Sequence, residues 1–223
     1  MSGDLHRYFI NNSKKRLHKL LHYFDIYEKH FTRFRHQPSV LLEIGVHGGG
    51  SLAMWRDYLG PKSKIIGLDI NPECKQFEAD GIEIFIGSQD CPEVLNQILE
   101  TYPSIDVVID DGSHQMAHMV ASFELLYHRI SSAGVYLVED TCCCYWERFG
   151  GGLRKSGSFI EHAKRCIDDI QASANLLIAG NTSEKIPMND MMRCTSSISF
   201  YDSVVVFEKM PQGKRAELVT QPL

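Results

Sequence analysis

From Val40 to Asp140, short aliphatic runs alternate with stretches of helical periodicity, and this alternation restricts the possible folds more than any other feature. The runs "VLLEIG", "KIIGLDI", "IEIFIGS", "IDVVIDD" and "GVYLVED" read as strands. Between them, "SLAMWRDYL", "PEVLNQILETY" and "MAHMVASFELLYHRI" read as helices, while the stretch after "KIIGLDI" holds a short helical segment of uncertain limits. Strands separated by helical crossovers lie parallel, so the expected fold is an α/β, Rossmann-like open sheet. Near the C-terminus, "SISFYD" and "SVVVFEK" alternate with period two and meet at Asp202 and Ser203. They predict a hairpin that gives a mostly parallel sheet an antiparallel edge and brings it to seven strands.

Upstream, Leu17, Leu20, Leu21, Phe24, Tyr27, Phe31 and Phe34 recur at three- and four-residue spacing, which predicts an amphipathic helix packed on the domain as a lid or brace. The chain therefore divides into a helical extension over 1–37, a ligand-binding domain over 38–210 and a tail over 211–223. The basic run "KKRLHK" at 14–19 reads as a solvated helix face. A net charge of -5 gives no basic surplus for nucleic acid. No apolar run is long enough to span a bilayer, and the N-terminus lacks a secretion-signal layout. Seven cysteines, three of them consecutive at Cys142, Cys143 and Cys144, do not form a disulfide framework or a Cys-x-x-Cys zinc pattern. Reduced thiols and a cytoplasmic location are expected. The helical arm would be a natural contact surface in a homo-oligomer.

Open α/β sheets bind ligands outside the carboxyl ends of their strands, so the loops there carry the functional reading. After the first strand, "EIGVHGGGS" supplies Glu43, Gly45, Gly48, Gly49, Gly50 and Ser51, a turn that lets backbone approach a ligand and aims helix amides at it. The second strand ends at Asp69, placed to accept hydrogen bonds from the ribose of an adenosine-containing cofactor. Ser88, Gln89 and Asp90 close the third strand and could meet an adenine edge. A dinucleotide fingerprint wants glycine at position 47, where His47 stands. The register Gly48, Gly50, Ala53 restores the pattern only if the first strand continues through Gly45, so an NAD(P)-dependent reductase is the second reading.

Asp110 and Asp111 end the fourth strand, and Glu139 and Asp140 end the fifth. Strands consecutive in this topology commonly lie side by side, which brings four carboxyl groups to one rim. Like charges so close repel unless something positive sits between them. Oxygen ligands favour a hard divalent cation such as Mg²⁺, although "DDGS" and "EDT" could also cap the helices that follow.

The glycine turn after Glu43, the strand-ending Asp69, "IDDGSH", "VEDT" followed by "YW", and the closing hairpin together resemble the metal-dependent sugar O-methyltransferases of the macrocin and mycinamicin type. The resemblance covers roughly residues 22 to 210. It implies a class I methyltransferase fold, S-adenosylmethionine as methyl donor and a sugar or glycosylated small molecule as acceptor. It also implies Mg²⁺ held by Asp111, Glu139 and Asp140, with His114 as general base. Glu43, Gly45, Ser51, Asp69, Ser88, Gln89, Asp90 and Asp110 then fall to the cofactor. The Gly- and aromatic-rich stretch "CCCYWERFGGGLRKSGS" would form a mobile wall, with Tyr145 and Trp146 facing the acceptor. The three cysteines depart from the family's usual polar residues there. A non-catalytic relative that keeps the fold as an interaction module is the third reading.

Overall fold

The structure is a computed structural model that describes residues 3–12, 15–178 and 190–210. The C-terminal tail expected over 211–223 lies outside these residues, as does Lys14 of the basic run. Among the described residues, seven strands form one sheet in the order β3-β2-β1-β4-β5-β7-β6. They are β1 (Val40–Ile44), β2 (Lys64–Asp69), β3 (Ile82–Ile86), β4 (Ile105–Asp110), β5 (Ile130–Val138), β6 (Thr195–Tyr201) and β7 (Val204–Lys209). The first five are parallel, and β7 inserts antiparallel between β5 and the edge strand β6. The hairpin turn falls at Asp202 and Ser203, as its sequence predicts.

The helices are α1 (Asp4–Asn11), α2 (Tyr23–Phe31), α3 (Gly50–Leu59), α4 (Pro92–Thr101), α5 (Met116–Leu126), α6 (Phe159–Ile178) and α7 (Asp190–Cys194). Pro92 starts α4, where a missing N–H costs nothing. The uncertain stretch after β2 is a 3₁₀ turn over Pro72–Phe77, whose Asn71 side chain accepts from Glu73 N. The wall expected after β5 forms two further 3₁₀ turns, Thr141–Tyr145 and Glu147–Phe149.

Strand residues alternate between two apolar layers. Leu42, Ile44, Val108, Tyr136 and Val138 pack toward α4, α5 and α6. Leu41, Ile65, Ile109, Val135 and Leu137 pack toward α1, α2 and α3, where Trp55 meets Tyr27 edge-on at 5.0 Å. Met54 and Trp55 are core residues, as their place on α3 predicts.

Two expectations fail. The amphipathic helix begins only at Tyr23, because residues 15–20 run as an irregular strap. Phe24, Tyr27 and Phe31 form the buried face of α2, Leu20 and Leu21 are exposed, and Leu17 packs on the glycine turn: Leu17 Cβ and the Arg16 carbonyl lie against Gly50, where a Cβ would meet that oxygen at 2.3 Å. The dinucleotide register also lacks its strand, since β1 ends at Ile44 and Gly45 turns with φ +96°.

Candidate active site at the carboxyl end of the sheet

The loops after β1 to β5 surround one cavity of about 630 Å³. Its wall includes Gly45, Ser51, Asp69, Ser88, Gln89, Asp111, His114, Glu139 and Asp140 from the expected set. Glu43, Asp90, Asp110, Tyr145 and Trp146 are not in that wall.

Asp69 organises the glycine turn. Its Oδ2 accepts from Val46 N and His47 N at 2.8 and 3.0 Å, and its Oδ1 accepts from Asn71 N at 2.9 Å. Partial burial alone would raise the pKa, but these three backbone donors outweigh it and hold the carboxyl below its ordinary value. They also leave fewer acceptor positions for a ribose than a bare carboxylate offers.

The strand period corrects the reading of four convergent acids. Asp110 continues the face of Val108 and points into the α5 side, where it is 1% exposed. Gln89 Nε2 donates to both its oxygens at 3.0 and 3.1 Å, and Ser122 Oγ donates at 2.9 Å. Burial pushes Asp110 up to about 6 against the pull of those hydrogen bonds. Asp110 therefore meets the cavity wall through Gln89, whose Oε1 accepts from Ser113 N at 2.7 Å, and through the Gly112 N–H, which donates to its Oδ1 at 3.3 Å. Asp90 turns instead to Ser88 and His118.

Asp111 and Glu139 project to the opposite face, and there Glu43 joins them beneath the wall. Lys19, from the strap, enters this group with its side chain 3% exposed. Its Nζ donates to Asp111 Oδ2 at 2.6 Å and Glu139 Oε2 at 2.7 Å, and lies 3.6 Å from Glu43 Oε1. The basic run is thus not simply a solvated face. Burial would favour a neutral amine, but the surrounding carboxylates outweigh it and hold the Lys19 pKa above the lysine range. Tyr27 Oη donates to Glu139 Oε1 at 2.6 Å, and Ser51 Oγ to Glu43 Oε2 at 2.6 Å. Burial raises the pKa of both acids, with Lys19 pulling them back. Glu43 therefore supports the site from behind and does not touch the cavity.

Nearer the opening, Asp140 accepts from Tyr23 Oη at 2.7 Å. Asp140 and His114 both have left-handed backbone, at φ 51° and 57°, so the chain doubles back after β5 and β4. His114 Nε2 then stands 3.9 Å from Asp111 Oδ1 and 3.8 Å from Asp140 Oδ2. One ligand atom from each of Asp111, His114 and Asp140 lies within 4.8 Å of the others, so carboxylate oxygens that suit a hard divalent ion stand beside an imidazole.

Beyond β5, Trp146 stacks on Phe149 with centroids 5.9 Å apart, and Phe149 meets the His114 ring edge-on at 6.0 Å. Trp146 and Tyr145 are both partly exposed at the surface. Sequence reasoning missed Lys19, Tyr23, Tyr27 and His118. The one signal for Lys19 was the need of a crowded acidic rim for a cation from the chain itself.

A parallel sheet closed by an inserted antiparallel strand, with a glycine turn, a strand-ending acid and an acidic rim around one cavity, defines a class I methyltransferase fold. The chain belongs to the rhamnosyl O-methyltransferase/CmcI family, whose profile matches residues 20–145. It is 38% identical to the 8-demethyl-8-(2-methoxy-alpha-L-rhamnosyl)-tetracenomycin-C 3'-O-methyltransferase of Streptomyces olivaceus, over 75% of this chain and 45% of that protein. It is 39% identical to the mycinamicin VI 2''-O-methyltransferase of Micromonospora griseorubida, over 68% of this chain and 40% of that one. The solved MycE methyltransferase in complex with Mg, SAH and mycinamycin VI superposes with a TM-score of 0.78 at 32% identity, covering 92% of this chain and 52% of that one. The chain thus spans less than half the length of these two curated relatives. Among the described residues no helix is long and apolar enough to cross a membrane, and no disulfide joins the cysteines.

Proposed function

We propose that the chain transfers a methyl group from S-adenosylmethionine to a hydroxyl of a sugar or glycosylated small molecule, with Mg²⁺ at the acidic rim. The observation that carries this reading is the continuity of the cavity, lined at once by Gly45, Asp69, Ser88 and Gln89 and by Asp111, His114 and Asp140. Family membership and the ligands named for MycE support it.

In this reading the adenosine end of the donor lies along Asp69, Ser88 and Gln89. Asp111, Glu139 and Asp140 would hold the ion beside His114, with Lys19 and Tyr27 fixing Glu139 from behind. Mg²⁺ supplies a fixed positive charge that acidifies and orients an acceptor hydroxyl, which favours a vicinal diol. His114 takes the proton as the hydroxyl oxygen bonds to the methyl carbon and the carbon–sulfur bond breaks. The sulfonium is already activated, so the protein's main task is alignment. Trp146, stacked with Phe149 beside His114, offers an aromatic face to a sugar ring, and Tyr145 adjoins it.

Methyl transfer to a panel of glycosylated acceptors, with Mg²⁺ or with a chelator, tests the reading. Transfer is expected only with Mg²⁺, and His114→Gln should lower kcat by about 10²–10⁴ with S-adenosylhomocysteine affinity retained. Tight NAD(P) binding without any response to S-adenosylhomocysteine would sink it. Donor binding with no transfer to any acceptor would favour a non-catalytic module.

A further inference from the structure

Two serines of the cavity wall, Ser88 after β3 and Ser113 after β4, belong to one hydrogen-bonded chain. Ser88 Oγ donates to Asp90 Oδ1. His118, in the first turn of α5, stands between Asp90 and Ser113, with Nε2 3.4 Å from Asp90 Oδ2 and Nδ1 3.0 Å from Ser113 Oγ. A carboxylate only accepts, so Ser88 spends its proton on Asp90 and the imidazole turns its N–H to the same group. The neutral ring then has a bare Nδ1, which accepts the Ser113 proton. Ser113 Oγ also accepts from Gln115 N at 3.2 Å, which leaves it one lone pair. Both hydroxyls therefore offer the cavity lone pairs and no protons. Gln89 beside them cannot supply the missing donor, because its amide protons are spent on Asp110.

We propose that Asp90 and His118 are positioning residues that turn Ser88 and Ser113 into acceptors for an exocyclic amino group, so that the site selects the 6-amino edge of adenine over a 6-oxo purine. This deepens the donor reading given above and rests on it. An amino group brings protons to the two hydroxyl oxygens, whereas a 6-oxo group sets lone pair against lone pair and finds no donor. Asp90 lies outside the cavity wall, so it acts on a ligand only through Ser88 and His118.

Calorimetric titration with S-adenosylhomocysteine and with its deaminated analogue S-inosylhomocysteine, without Mg²⁺ or acceptor, tests this. Wild type should bind the adenine compound about 10- to 100-fold more tightly, as expected when paired acceptors are exchanged for unpaired ones. Asp90→Asn introduces an amide that donates, so the protons of the chain can run the other way and the ratio should fall to about threefold or less. His118→Ala frees the Ser113 proton and should narrow the ratio to an intermediate value. His118→Gln carries an acceptor and a donor in one amide, as the neutral ring does, and should restore part of it. The His118 and Asp90 side chains are 34% and 38% exposed, so neither substitution opens the core. A merely structural role would weaken both compounds alike and leave the ratio unchanged. Retention of the wild-type ratio by Asp90→Asn or by His118→Ala would therefore overturn the proposal, as would equal binding of the two compounds by wild type. Wild-type protein that binds neither compound would instead remove the donor reading itself, and the proposal with it.

Discussion

Asp110 and Asp111 are adjacent in the chain, yet they belong to two regions with different physics. Asp110 faces the α5 layer and is satisfied by neutral donors, among them Gln89 and Ser122, that are themselves buried. Asp111 faces the α2 layer and meets a full positive charge on a side chain from an irregular strap. A buried acid held by dipoles is a fixed structural element. An acid held by an ammonium beside a cavity has one oxygen left for chemistry, and its surroundings already tolerate a cation. The dyad period of one strand thus separates a brace from a candidate working group across a single peptide bond.

The largest expected effect tests this separation directly. Asp111→Asn should reduce methyl transfer by about 10³-fold or more, since it removes charge where the ion and the acceptor hydroxyl meet. Asp110→Asn should cost far less activity, acting through the placement of Gln89 and of the Gly112 backbone. Steady-state rates for the two variants at saturating donor and Mg²⁺ settle the comparison, and equal losses would break it.

Stability should report the reverse asymmetry. With its pKa pushed up to about 6, folded Asp110 keeps a proton that the unfolded chain has already released. Folding stability from this group is therefore greatest below the ordinary aspartate range and falls as the pH rises, across a window of about pH 4 to 6. The decline attributable to Asp110 is about 3 kcal/mol for a shift of about two units. Denaturant titrations across that window should show a shallower decline for Asp110→Asn than for wild type. Parallel curves would mean that the Gln89 and Ser122 hydrogen bonds offset burial fully.

Much of the scaffold was legible because strands and helices announce themselves by period. The five aliphatic runs, the hairpin meeting at Asp202 and Ser203, and the placement of Asp69, Asp111, Glu139 and Asp140 at strand ends all follow from local pattern. The errors arose where tertiary contacts set the pattern. Leu17, Leu20 and Leu21 carry helical spacing, but Leu17 sits on a strap laid against Gly50, and Leu20 and Leu21 are exposed before α2 begins. Lys19 looks like a surface charge because nothing local reveals its partners, which lie 92 and 120 residues away. Grouping Asp110 with the rim neglected the strand period that the same sequence contains. Glu43 failed differently: strand position placed it near the cofactor loop, and only the packing of Ser51 and Lys19 shows that it works from beneath.

The smallest effects come from removing one hydroxyl on each side. Ser122→Ala deletes a donor to Asp110 in a region with no mobile charge nearby, and Gln89 and the Gly112 N–H must then hold the carboxyl. A hydrogen bond to a charged or partly charged acceptor is worth about 1.5–3 kcal/mol, so the variant should unfold earlier by an amount in that range. Tyr27→Phe deletes the corresponding donor to Glu139, but the Lys19 ammonium stays 2.7 Å from the other oxygen, and the phenyl ring keeps its place beside Trp55. Its cost should be about 1 kcal/mol or less. Chemical denaturation of the two variants at pH 7 gives the order. If Tyr27→Phe proves the more damaging, Lys19 does not compensate Glu139, and the acids on the α2 side depend on neutral donors just as Asp110 does.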